Sequence, residues 1–219
     1  MNLPRTMIVS KAKETQIRRP AFSLVEMLVV IALIATLTAL LAPSIQGLMG
    51  VSGRRGGMSI LSNVLEQARI KAIESGQPVH VGFPFESIDD EELAKSSVIL
   101  FRPASEAEGG GDNFVPIGRW VRLPSGVYMQ GGANFPVQDL EIPDGNLPQL
   151  EGVEVKNLQV VTFDRFGGVR GSAGTVELEI GEKARPNDEG WLRSPDNFFT
   201  LSIQRLTGRV EVKDNFDGA

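Results

Sequence analysis

Phe22–Ala42 reads FSLVEMLVVIALIATLTALLA, 21 residues holding one charge, Glu26. At about 1.5 Å of rise per residue a helix of this length spans roughly 30 Å, the thickness of a bilayer core. A soluble amphipathic helix places polar residues on every turn, and this stretch does not. The flanks are unlike each other. Arg5, Lys11, Lys13, Arg18 and Arg19 precede it against Glu14 alone, while the whole chain carries a net charge of −5. By the positive-inside rule the basic segment stays on the cytoplasmic side and the C-terminal bulk is translocated.

Three other membrane-directed readings compete. A cleaved secretory signal has a shorter apolar run ending in a small-x-small site. Met27–Ala42 already exceeds that length, and Leu40-Leu41-Ala42-Pro43 is a poor site. Arg18-Arg19 hints at a twin-arginine signal, but Pro20 and Ala21 displace the apolar start. A plain single-span anchor fits the hydropathy equally well. Glu26 separates that last reading from a more specific one. A carboxylate inside a spanning helix costs a few kcal/mol of insertion free energy, by order of magnitude, and usually marks function. Its bland counterpart is an interfacial charge that snorkels to the headgroups.

The run Arg18-Arg19-Pro20-Ala21-Phe22-Ser23-Leu24-Val25-Glu26-Met27-Leu28-Val29-Val30-Ile31 resembles the cleavage and methylation motif of type IV prepilins and type II secretion pseudopilins. In that family a small residue, usually Gly, precedes the cut; here Ala21 stands in its place. Phe follows the cut, and Glu lies four residues beyond. Pro43 falls where the family commonly has a helix-kinking Pro. The resemblance implies a leader, residues 1–21, removed by a prepilin peptidase between Ala21 and Phe22, with methylation of the new amine of Phe22. It implies that Glu26 pairs with the N-terminal amine of a neighbouring subunit during assembly. It further implies other pilin or pseudopilin subunits and an inner-membrane assembly platform as partners. The location implied is the inner membrane, single-pass with a periplasmic C-terminal domain, and a filament after assembly.

Downstream, Pro43 lacks an amide hydrogen and should kink a helix. Gly47, Gly50, Gly53, Gly56 and Gly57 each lower helix stability by about 1 kcal/mol relative to Ala. The reading adopted is a continuous but weakened helix, the other being a loop between anchor and domain. From Met58 to Ser75, Leu61, Val64, Leu65, Ala68 and Ala72 recur at helical spacing and predict one buried stripe. Gly76 suits a C-cap and Pro78 forbids continuation. The stretch Leu65–Val79, with Ala68-Arg69 and Ala72-Ile73, resembles GspH/FimT-type minor pseudopilins, as do Val161-Thr162-Phe163-Asp164 and Leu206-Thr207-Gly208-Arg209-Val210.

After Pro78 the period changes to two, predicting strands at 79–85, 98–102, 119–123, 127–130, 158–163, 175–180, 198–204 and 209–213. Gly109–Gly111 and residues 131–152 read as loops, and Leu206-Thr207-Gly208 as a turn. Residues 86–157 resemble no family. The organisation expected is a leader over 1–21, a transmembrane and assembly helix over 22–76, and a β-rich domain over 77–219. The fold class expected is α+β: a long kinked N-terminal helix packed on an antiparallel sheet or pair of sheets.

Other chemistry finds little material. There are no cysteines, which excludes disulfides, thiolate metal sites and a lipid-anchored Cys. The one histidine, His80, falls on a predicted strand and is expected on its polar face as a surface residue. No metal site and no cofactor are expected. Asp89-Asp90-Glu91-Glu92 reads as a solvated acidic loop, and Asp214–Gly218 lacks the spacing of a calcium loop. Trp120 and Trp191 are core anchors or subunit contacts, with the core favoured. Some minor pilins of this type bind DNA, but Arg205 and Arg209 are followed by Glu211, Asp214 and Asp217, so DNA is not an expected partner. The function expected is a non-enzymatic structural subunit of a type II secretion or type IV pilus-like filament. The alternative is a membrane-anchored periplasmic β-domain with a binding or enzymatic role.

Overall fold

The computed structural model describes residues 24–132, 134–135, 138–171, 174–184, 190 and 198–215, and of residues 38–52 the backbone only. The leader, Phe22 and Trp191 lie outside the described residues. The chain divides into two compact units, Met1–Ile45 and Gln46–Ala219. Helix α1 runs from Leu24 to Ser75, through Pro43 and all five glycines. It ends where Gly76 turns into the left-handed region at φ 66°, a conformation that glycine adopts without steric cost.

The elements that follow are β1 (Val79–Phe83), α2 (Glu91–Ser96), β2 (Ser97–Pro103), β3 (Phe114–Pro116), β4 (Val121–Arg122) and β5 (Val127–Gly131). Then come β6 (Asp139–Glu141), β7 (Asn157–Phe163), β8 (Val176–Glu182), β9 (Phe198–Ile203) and β10 (Val210–Asp214). One sheet has the order β3-β2-β1-β7-β6, with β4 also on β2; the other is β10-β9-β8-β5. Every pairing is antiparallel. The α+β class expected from the change of period at Pro78 is what the chain adopts.

Leu61, Val64, Leu65, Ala68 and Ala72 are all buried, and they form one core with residues of both sheets. From the first sheet come Val79, Val81, Phe83, Val98, Leu100, Val161 and Phe163, every second residue of their strands. The alternate positions do not face solvent. Ile99, Phe101, Leu158 and Val160 meet Leu93, Ile142, Leu150 and Val155 in a second core. Residues 142–155 and α2 therefore roof the outer face of the first sheet. The sequence pattern predicts loop at 89–92 and 131–152 and no strand at 114–116, whereas α2, β6 and β3 lie there.

The helix is continuous through its glycines, as expected, and three of them also face the second sheet and its approach. A Cβ on Gly57 would lie 2.9 Å from Val127 Cγ1, and one on Gly53 3.3 Å from Val127 Cγ2. Gly56 faces Pro124 at 3.6 Å, an ordinary contact distance. Gly57 lets α1 approach β5 more closely than a side chain permits, and Gly53 leaves little room for one. Gly57→Val should therefore destabilise the domain by about 2 kcal/mol, the scale of overpacking a core. Chemical denaturation measures it, and an unchanged midpoint would remove the close-approach role.

Candidate assembly site

Glu26 lies in the first turn of α1, where a carboxylate sits favourably against the unsatisfied amides and positive end of the helix dipole. The surroundings are apolar on every side. Leu24, Val25, Met27, Leu28, Val29, Val30, Ile31, Leu33, Ile34 and Leu37 are all exposed, Leu24 at 82%. At 100° per residue these positions circle the helix, so no single polar face remains to be turned to water. Thr36 Oγ1 donates to the Leu33 carbonyl at 2.9 Å and so hides its hydroxyl within the helix. Among the described residues no helix is long and apolar enough to cross a membrane; the span read from sequence begins at Phe22, before the described residues.

Arg54 is buried in the second unit, with 3% of its side chain exposed and its Nε 3.4 Å from Glu182 Oε1. Sequence reading passed over it. The available signal was the pair Arg54-Arg55 set between Gly53 and Gly56-Gly57, where the helix comes close to its sheet.

His80 is a correction. It is 8% exposed, and every residue of β1 is buried. Its ring centre lies 5.2 Å from that of Phe101 and 5.9 Å from that of Phe114. Its Nδ1 is 2.8 Å from Thr162 Oγ1, its cross-strand neighbour on β7. Burial, reinforced by the Arg170 guanidinium, lowers its pKa to about 4, so the ring is neutral at neutral pH.

Asp89–Glu92 is solvated as expected, but only its first half is loop: Asp90 caps α2, and Glu91 and Glu92 form its first turn. Asp90 Oδ1 accepts from the Leu93 amide at 3.0 Å as the N-cap, and Glu91 pairs with Lys95 at 2.7 Å. That hydrogen bond and the charge of Lys95 hold the Glu91 carboxyl below its usual range. Trp120 packs against the second core and donates from Nε1 to the Pro148 carbonyl at 2.6 Å. Among the described residues no three His, Cys, Asp or Glu side chains gather in a way that could hold a metal ion.

Comparison with known proteins adds one specific finding. Residues 18–42 match the family described as the prokaryotic N-terminal methylation motif. No curated protein matches the chain by sequence. Solved structures with partial likeness include the minor pseudopilin EpsH from the type II secretion system of Vibrio cholerae. It is 14% identical with a TM-score of 0.44, over 78% of this chain and 99% of that one. The type IV minor pilin FimU of Pseudomonas aeruginosa is 13% identical with a TM-score of 0.45, over 75% and 90%. These scores carry no argument about function, which rests on the residues of the chain itself.

Proposed function

We propose that the chain is a minor pilin or pseudopilin, a structural subunit of a type II secretion or type IV pilus-like filament. One observation carries the reading: a helix apolar on all sides from Leu24 to Leu37, interrupted by a single carboxylate in its first turn. Such a surface needs lipid or other apolar helices around it, and such a carboxylate needs a cation. A filament core supplies both. The methylation motif over residues 18–42 supports the same reading.

In this reading a prepilin peptidase cuts between Ala21 and Phe22 and methylates the Phe22 amine. The chain waits in the inner membrane with its β-domain in the periplasm, and an assembly platform moves it into the filament. Glu26 neutralises the amine of a neighbouring subunit. Pro43 kinks α1 where it leaves the apolar run. The chain itself catalyses nothing; it is a substrate of the peptidase.

Mass spectrometry of the mature N-terminus tests the proposal. The expected product begins at N-methyl-Phe22. A mature chain that keeps residues 1–21 would instead be a permanently anchored β-domain protein, and the filament reading would fall.

A further inference from the structure

Two turns of the β-domain share a pattern. The β7–β8 turn holds Arg165-Phe166-Gly167-Gly168-Val169-Arg170, and the β9–β10 turn holds Arg205-Leu206-Thr207-Gly208-Arg209. In each, an arginine is followed directly by a large apolar residue, and a second arginine closes the turn. The fold sets the two side by side. The Val169 amide donates to the Arg205 carbonyl at 2.7 Å, and Gly208, at φ 61°, leaves no room for a Cβ beside the Gly167 carbonyl. Arg69 of α1 ties the second turn to the helix, donating from Nε to the Thr207 carbonyl at 2.7 Å.

The apolar tips project. Phe166 is 76% exposed and Leu206 85%, more than any other large apolar side chain of the β-domain among the described residues. Arg165, Arg170, Arg205 and Arg209 are exposed around them, and none forms an ion pair among the described residues. Arg165 lies over the Phe166 ring at 4.8 Å. A cleft of about 390 Å³ runs between Pro78 and Phe166, with Arg165, Arg170 and the carboxylate of Asp164 on its wall. Asp164 Oδ1 is taken up by the Phe166 and Gly168 amides, at 2.8 and 3.0 Å. Other carboxylates of these elements are engaged too: Glu66 with Arg69, Glu74 with Lys71, and Glu211 with Gln204. The surface is therefore cationic, on a chain whose net charge is −5.

This composition has a specific complement. The boundary between headgroups and acyl chains of an anionic bilayer buries an apolar tip and attracts each flanking cation to lipid phosphate. Nucleic acid fits less well. Its phosphates would satisfy the arginines and Phe166 can stack on a base, but nothing apolar receives Leu206.

We propose that these two turns form a bilayer-contact surface. Phe166 and Leu206 enter the interface of an anionic phospholipid membrane, and the cleft beside Arg165 and Arg170 takes a lipid phosphate. The surface belongs to the β-domain alone and stands apart from the role given to Glu26.

A fluorescent label tests it, because the chain has no cysteine of its own and Leu206→Cys supplies a single attachment point. The full chain is held in phosphatidylcholine nanodiscs, labelled with an environment-sensitive fluorophore and mixed with sucrose-loaded vesicles. It should sediment with vesicles of mixed phosphatidylglycerol and phosphatidylcholine at least about tenfold better than with phosphatidylcholine alone. The emission should shift to the blue and be quenched by brominated acyl chains in the vesicles. The same label on Val153→Cys, outside these turns, should do neither. Arg165→Glu with Arg205→Glu should reduce sedimentation to the phosphatidylcholine level. Arg165→Lys with Arg205→Lys should keep it and serves as the folding control. Equal sedimentation with both kinds of vesicle, or an unshifted label at Leu206→Cys, overturns the proposal. So do disulfide-linked dimers of the unlabelled Leu206→Cys chain, which would make the surface a contact between copies. Tighter retention of DNA than of anionic vesicles overturns it as well and assigns the arginines to nucleic acid. Each of these outcomes leaves the maturation reading in place, since that is decided at the mature N-terminus.

Discussion

Glu26→Ala leaves the leader cleaved and the chain membrane-bound, but lowers its recovery in sheared filaments by about a hundredfold. The magnitude follows from what is left behind. A methylated amine buried among apolar helices without its carboxylate is an uncompensated charge, and breaking a buried pair costs about 3–5 kcal/mol. A loss near 3 kcal/mol is already about a hundredfold in an equilibrium. The β-domain itself is left intact, because Glu26 takes no part in either core. Glu26→Gln should fail as Ala does, since it keeps the size and removes the charge. Quantitative immunoblotting of membrane and sheared fractions gives the ratio. Normal recovery of Glu26→Gln would show that charge is not what this position supplies.

Acid destabilises the β-domain through His80. Its folded pKa is about 4 against an ordinary 6.5, so the unfolded chain holds the proton more tightly. The stability gained by keeping the ring neutral is complete above about pH 6.5. It falls as pH drops through the window between the two values and is gone below about pH 4. Two and a half units correspond to about 3 kcal/mol. Carboxylates titrate in the same range, so the quantity to measure is the difference between the wild type and His80→Gln, which cannot titrate. Denaturant midpoints at pH 7, 5.5 and 4 should converge as the pH falls. Parallel curves would show that His80 titrates alike in both states.

The N-terminal helix, the stripe Leu61–Ala72 and the paired strands on either side of residues 86–157 are legible in sequence for one reason. Their patterns are local, set by a period of 3.6 or 2 against a single partner surface. His80 was misplaced because its environment is not local. Val79-His80-Val81 alternates as a half-exposed strand does, and nothing within several residues announces that Phe101 and Phe114 will pack against its ring. The roof over the first sheet is irregular, with scattered apolar residues among Pro and Gly, and such segments have no period to read. Asp89–Glu92 was ambiguous on its face, because Asp ahead of paired glutamates serves as well in a loop as in a helix cap. The candidate assembly residues stand differently again. Glu26 is conspicuous in sequence as the one charge of an apolar run, while the role proposed for it involves another molecule and so is not written in the pattern of one chain.

The glycine-lined seat of α1 on β5 has a mechanical meaning. A filament subunit that is pulled or pushed receives the load along its helix. At Gly53 and Gly57 the helix backbone rests directly against the stiff, β-branched side chain of Val127, with no side chain of its own between them. Close-packed contacts of this kind transmit displacement with little slack. Gly53 and Gly57 are where the helix is clamped, and where axial force on the helix passes into the second sheet.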